Sequence, residues 1–298
     1  MSLPRPDWRI EGRVWPHRQH SRFVERGGLR WHVQLMGRGP ALLLLHGTGA
    51  SCHSFRELMP LLAERFTLVV PDLPGHAFST VPPGFVPSLP ATAAALAELL
   101  AELQLEPTVA VGHSAGAAVL ARMTLDRDLR PQLLVGLGAA MVPFRGVATS
   151  WFAPAARLLA QSGLAAQLLA LRARDAGSVD RLVRSTGSTL DGSGVELYQR
   201  LSASPGHVAA VLAMLASWDL APLYAGLPAL QVPFLLLAGA ADRAIPVAQQ
   251  REVAARLPAA RLLVVERTGH LLHEEQPATV VRLILAEVDR LSAAPKLW

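Results

Sequence analysis

The stretch that most constrains this chain runs Val109-Ala110-Val111-Gly112-His113-Ser114-Ala115-Gly116-Ala117-Ala118, where a short apolar run ends in G-H-S-A-G and an Ala-rich helical segment begins. A serine set between strand and helix on so tight a turn needs small neighbours, so Gly112, Gly116 and Ala117 matter as much as Ser114 itself. The turn lifts Ser114 Oγ clear of a sheet and aims the Ala115 N–H at the place where an oxyanion would form. A chance G-x-S-x-G is frequent in a chain with 23 glycines. Here the β-like run before it and the helical run after it argue for a nucleophile elbow.

Around this turn the pattern alternates strand and helix. Residues 21–24 and 29–35 alternate about Gly27-Gly28 as a hairpin, and residues 41–45 form the continuous apolar run of a doubly covered strand. His46-Gly47-Thr48-Gly49-Ala50-Ser51 follows that strand. Its glycines leave backbone N–H groups unobstructed, with the Thr48 amide as the second oxyanion donor and Gly49 as the alternative. An amphipathic helix is expected at 54–65, a strand at 67–70, a shaped structural loop at Asp72 to His76, a helix at 92–104 and a strand at 133–137. Residues 145–225 break the alternation with helical runs at 153–174 and 206–217 and no strand. Such an insertion reads as a cap closing over the site, and Gly47, Gly49, His113, Trp151, Met214 and Trp218 are its candidate ligand contacts. Alternation resumes with a buried strand ending at Asp242, a strand at 261–265 ending at His270, and a helix at 277–291. The whole predicts an α/β fold with a mostly parallel sheet covered by helices on both faces. Residues 1–21 form a basic arm, 22–144 and 226–298 the core, and 145–225 the cap.

Ser114, Asp242 and His270 each fall in a loop after a strand. A serine hydroxyl is a poor nucleophile at neutral pH and needs a base, for which His270 is the candidate; Asp242 would fix its tautomer and stabilise the imidazolium. Among competing histidines, His113 should point away from Ser114 Oγ, His46 shapes the loop after its strand, and His273 supports or caps. Glu274 is the second choice of carboxylate because it lacks the strand-end placement. His270-x-x-His273-Glu274 offers no third ligand at zinc spacing, so no metal is expected, and no motif calls for a cofactor.

With 298 residues, 51% hydrophobic residues and a mean hydropathy of +0.31, the chain can bury a large core and is not disordered. Pro222, Pro228 and Pro233 break the longest uncharged stretch, so no membrane-spanning helix is expected. The opening Met-Ser-Leu-Pro-Arg-Pro-Asp lacks a signal peptide's apolar segment and Cys52 stands alone, which points to the cytoplasm. The first 30 residues hold seven arginines against three acids, a surplus of four out of the net charge of +5. No nucleic-acid motif accompanies this charge. The arm suits an anionic surface at the inner membrane, an acidic partner or a carboxylate-bearing aromatic ligand; alternatively it folds over the core with local ion pairs.

H-G-T-G, D-L-P-G-H, G-H-S-A-G, G-A-A-D-R-A-I-P and G-H-L-L-H-E-E-Q-P together resemble the α/β-hydrolase superfamily over residues 22–298. Trp15-Pro16, Ser21-Arg22-Phe23-Val24, Leu29-Arg30-Trp31-His32-Val33-Gln34, His46 to Ser51, His113 to Ala118 and Trp218-Asp219-Leu220 are similar to the magnesium-chelatase accessory hydrolases of bacteriochlorophyll biosynthesis. The resemblance implies a photosynthetic bacterium, a role near insertion of Mg²⁺ into protoporphyrin IX, and a core with the Ser114, Asp242 and His270 triad. Thr48-Gly49 departs from the commoner H-G-x-P form. Three functions stay open: an acyl-type hydrolase of the pigment pathway acting on an apolar substrate such as a porphyrin, a non-catalytic porphyrin carrier or chelatase scaffold, and a general esterase or C–C-bond hydrolase.

Overall fold

The computed structural model describes residues 3–143 and 163–293. In chain order the elements are α1 (Trp8–Glu11), β1 (Ser21–Arg26), β2 (Leu29–Met36), β3 (Ala41–Leu45), α2 (Leu58–Leu62), β4 (Thr67–Pro71), α3 (Leu89–Glu102), β5 (Val109–His113), α4 (Ala115–Leu125) and β6 (Leu133–Leu137). They continue as α5 (Gly163–Arg172), α6 (Ala176–Ser185), α7 (Gly192–Ser202), α8 (Pro205–Ser217), α9 (Ala221–Gly226), β7 (Phe234–Gly239), α10 (Val247–Arg256), β8 (Ala260–Val265), α11 (Leu272–Glu275) and α12 (Pro277–Ala293).

The eight strands form one sheet in the order β1-β2-β4-β3-β5-β6-β7-β8, antiparallel at β1–β2 and β2–β4 and parallel elsewhere. Every residue of β3, β5, β6 and β7 is buried, as strands covered on both faces must be. Side chains alternate between two cores: Leu43 and Leu45 pack with α3 and α4 on one face, Leu42 and Leu44 with α2 and α12 on the other. β3 lies between β4 and β5, so the chain leaves it in opposite directions on its two sides. The crevice at the carboxyl ends of β3 and β5 is therefore the fold's natural ligand position.

Two helices depart from the sequence expectation. The single helix expected at 54–65 is a 3₁₀ turn, Cys52–Phe55, followed by the short α2, because Pro60 has no N–H to give the Arg56 carbonyl. α3 starts three residues early, at Leu89, with the Ser88 hydroxyl accepting from Ala91 N–H and Pro90 in the first turn. Between β6 and β7, the described residues hold the helices α5 to α9 and no strand. The first part of the helical run expected at 153–174 lies outside the described residues. Among the described residues no single helix is long and apolar enough to cross a membrane.

The N-terminal residues pack onto the core. Trp15 is 3% exposed and meets Phe78 edge-on at 4.9 Å, while Trp8 packs against Phe23, His32 and Phe78 at 5.6, 4.8 and 4.9 Å. The Arg5 guanidinium donates to the Gly75 and Ser79 carbonyls, and the Pro4 carbonyl accepts from Gly206 N–H (2.7 Å) and Ser204 Oγ (3.0 Å) at the start of α8. Part of the basic surplus is spent locally, in Arg9–Asp7 and in Arg26–Glu102. Trp15→Ala is therefore expected to cost about 3–5 kcal/mol, as emptying a large buried aromatic site does. Urea unfolding measures this, and an unmoved midpoint would show that the arm does not pack in solution.

Candidate functional site

Ser114 sits between β5 and α4 with φ 50° and ψ −115°, a left-handed backbone costing a non-glycine residue about 1–3 kcal/mol. The neighbours allow it by being small. A Cβ on Gly112 would stand 2.4 Å from Ala117 N, and one on Gly116 would stand 2.2 Å from the Leu45 carbonyl oxygen. Ser114 N–H donates to Leu137 O at 2.9 Å, and its carbonyl accepts from Ala117 and Ala140 N–H, which ties the turn to the loop after β6. Ala115 is the first residue of α4, so its N–H has no partner within the helix and points from the positive end of the helix dipole.

The loop after β3 closes against this turn. Ala50 N–H donates to Gly47 O at 3.2 Å with Gly49 at φ +81°, a tight turn whose central N–H groups, those of Thr48 and Gly49, are not used by its own hydrogen bond. Gly47 must be glycine because a Cβ there would lie 2.9 Å from both Ser114 Cβ and His113 Nδ1. His46 holds the loop, Nδ1–H donating to Gly47 O at 2.8 Å while Nε2 accepts Leu73 N–H at 2.8 Å.

Asp242 follows β7 and His270 follows β8. His270 Nδ1–H donates to Asp242 Oδ2 at 2.8 Å, and Asp242 Oδ1 accepts the Ala244 and Ile245 amides, each at 2.8 Å. This bonding places the imidazole proton on Nδ1 and leaves the Nε2 lone pair free to take another. The loop after β6 backs the pair: a Cβ on Gly138 would stand 3.1 Å from His270 Nδ1 and 3.2 Å from Asp242 Oδ2. Ser114 and His270 line one cavity of about 540 Å³.

Glu274 lies in a different buried network. It pairs with Arg56 and accepts from Ser54 Oγ and Tyr198 OH, each at 2.6 Å. Burial raises its pKa, opposed by Arg56 and the two hydroxyls. His273 Nε2–H donates to Ser54 Oγ at 2.8 Å, and burial together with His270 pushes its pKa down to about 3. His113 Nε2–H donates to the His270 carbonyl at 3.1 Å, and its ring lies between those of His270 (4.7 Å) and His273 (4.5 Å). Burial, then His273 and His270, hold His113 well below the usual imidazole range.

The loop after β4 is structural in its bonding. Asp72 accepts from His32 Nδ1–H (2.8 Å), Cys52 N–H (2.8 Å) and Phe78 N–H (3.3 Å). His32, Cys52 and Asp72 bring potential ligand atoms within 4.8 Å of one another. Both nitrogens of His32 and both oxygens of Asp72 are already in protein hydrogen bonds, with His32 Nε2 2.9 Å from Ser21 Oγ, so the trio does not fit a metal as it stands.

Thr48, Gly49 and His113 line the cavity, while Gly47 backs it. Met214 is buried beneath Thr48, its sulfur 3.7 Å from Thr48 Oγ1, and Trp218 packs half-buried against the core on the α4 side; neither lines the cavity. Trp151 lies outside the described residues. Sequence reasoning missed Arg172, Tyr198, His207 and the α8 stripe Val208, Val211, Leu212 and Leu215. That stripe has i, i+3, i+4, i+7 spacing, a signal that marks a helix face without saying whether core or cavity covers it. His207 accepts Ala77 N–H at Nδ1 (3.0 Å) and donates from Nε2 to Gly49 O (3.2 Å), which ties the start of α8 to the loop after β3; burial lowers its pKa to about 4.

A family profile described as alpha/beta hydrolase fold matches residues 40–277. The magnesium-chelatase 30 kDa subunit of Rhodobacter capsulatus is 38% identical over 262 residues, 87% of this chain and 91% of that protein. A pimeloyl-[acyl-carrier protein] methyl ester esterase of Xanthomonas oryzae pv. oryzae is 30% identical over 86% of this chain and 99% of its own. Among solved structures, an alpha/beta hydrolase fold protein from Burkholderia ambifaria superposes with a TM-score of 0.74 at 25% identity, covering 90% of this chain and 100% of that one. The chain belongs to the α/β-hydrolase family.

Proposed function

We propose that the protein is a serine hydrolase of an ester or related acyl-type substrate, acting in or beside magnesium-porphyrin formation. The observation that carries the chemistry is the Asp242–His270 hydrogen bond of 2.8 Å, with His270 and the elbow residue Ser114 on one apolar cavity. In this reading Ser114 Oγ attacks the substrate carbonyl as His270 Nε2 takes its proton. Asp242 stabilises the imidazolium so formed without itself taking the proton. The Ala115 and Thr48 amides hold the oxyanion, and His270 returns the proton to the leaving group. Water, activated by the same nitrogen, then releases the acyl group from Ser114.

The magnesium-porphyrin setting is supported by the Rhodobacter capsulatus relative, named as a chelatase subunit. That name equally supports a second reading, in which the fold carries a porphyrin or binds the chelatase without turnover. Relatives named as a methyl ester esterase and as a 2-hydroxy-6-oxo-2,4-heptadienoate hydrolase support ester or C–C-bond hydrolysis in other settings.

A fluorophosphonate probe is expected to label Ser114 and nothing else. Labelling should vanish in Ser114→Ala, and turnover of an activated ester should fall by about 10³–10⁴ in Asp242→Asn and at least as far in His270→Ala. Mass spectrometry of the labelled peptide reads this, and labelling at another residue would remove Ser114 from its role. If Glu274→Gln depressed turnover as deeply as Asp242→Asn, the orienting carboxylate would have been misassigned.

Catalysis and scaffolding separate in cells. Ser114→Ala, expressed at wild-type abundance in a deletion strain, is expected to lose the benefit to magnesium-porphyrin accumulation. Complementation by that variant would establish the carrier or scaffold reading instead.

A further inference from the structure

The cavity over Ser114 is chemically lopsided. Its cap wall is aliphatic, with Leu169, Val179, Leu182 and Val183 facing the α8 stripe. Among the described residues no Asp or Glu lines it. Its Arg172 is different: the last residue of α5, it lines the cavity while remaining exposed, which puts a fixed positive charge at the mouth.

Among the described residues that charge has no ion-pair partner of its own. The acids between 175 and 196 are occupied, Asp175 with Arg181 at 3.2 Å, Asp180 with Arg184 at 2.7 Å and Glu196 with Arg200 at 2.6 Å, while Asp191 caps α7. Among the described residues Arg172 forms no ion pair, and residues 144–162 contain no Asp or Glu that could supply one. A guanidinium at a wet mouth keeps its hydration, so it costs the cap little, and its planar fork matches a carboxylate with two parallel hydrogen bonds.

We propose that Arg172 is a carboxylate anchor: the ligand of this cavity is an amphipathic acid whose apolar body extends toward Ser114 and whose free carboxylate pairs with Arg172 at the mouth. The inference rests on the cavity being the substrate site, and it narrows the substrate class to acids esterified at one end and free at the other. A neutral diester of the same body fills the aliphatic wall and forgoes the ion pair. An alkyl diacid and a macrocycle bearing carboxylate side chains share this chemistry.

Binding to Ser114→Ala tests the anchor without requiring turnover. Calorimetric titration at low salt compares monomethyl with dimethyl dodecanedioate, and a second arm compares the monomethyl and dimethyl esters of protoporphyrin IX by tryptophan quenching. In at least one arm the half-ester is expected to bind about tenfold tighter or more, with the gap narrowing as salt rises. Arg172→Gln should close the gap and Arg172→Lys should keep part of it, circular dichroism confirming that both fold. The arm that shows the gap identifies the body as chain or macrocycle. Equal affinities in both arms, no detectable binding, or a gap that survives Arg172→Gln overturns the proposal. Absence of fluorophosphonate labelling in the wild type would sink the hydrolase reading alone, leaving the binding comparison intact.

Discussion

Ser114 keeps a left-handed backbone only because three segments press against it from different sides. The first turn of α4 fits under β5 at Gly112, the end of β3 meets Gly116, and the loop after β3 meets Ser114 Cβ at Gly47. Each approach is closer than a Cβ would permit, so the strain at one residue is held by packing that involves β3, β5 and α4 together. The same closeness brings the loop after β3 and the first turn of α4 against the serine. A turn that relaxed would lose these approaches together.

The histidine side of the site is held by hydrogen bonds of fixed direction. Asp242 is itself tethered by two amides, so its remaining oxygen has one orientation to offer His270. His113, next to Ser114 in the chain, donates to the carbonyl of His270, which connects the turn at Ser114 to the loop of His270 through a single buried ring. Beyond it, His273, Ser54, Glu274 and Tyr198 carry the network into α7. Because His113 and His273 are dry, they remain uncharged near neutral pH and add no competing cation beside His270.

The helices between β6 and β7 meet the sheet's loops through polar contacts and leave aliphatic side chains on the cavity. His207 joins α8 to Ala77 and to the carbonyl of Gly49, and Pro4 and Arg5 of the N-terminal segment secure the start of the same helix and the loop beside it. A helix held this way can present Val208, Val211, Leu212 and Leu215 to a ligand without burying them in the core. Substrate choice in this reading belongs to the cap, and bond chemistry to the sheet ends.

The sequence by itself determined the order of strands and helices from 41 to 137, and the two strands and the final helix from 234 to 293 but not α10 between them, because doubly covered strands are uninterrupted apolar runs and G-H-S-A-G admits few backbones. It also placed Ser114, Asp242 and His270 after strands, since parallel sheets put their loops at one end. Pro60, equally legible, marks where the helix expected at 54–65 is interrupted. Other features could be decided only by the tertiary structure. The stripe on α8 has one spacing whether it faces core or cavity, Met214 and Trp218 look like ligand contacts until the packing turns them inward, and the basic charge of the first residues says nothing of Trp8 and Trp15 beneath it. Glu274 and Asp242 are both carboxylates near His270 in plausible positions along the chain. Only the fold, by bringing Arg56 and Tyr198 from distant segments to Glu274, leaves Asp242 for the histidine.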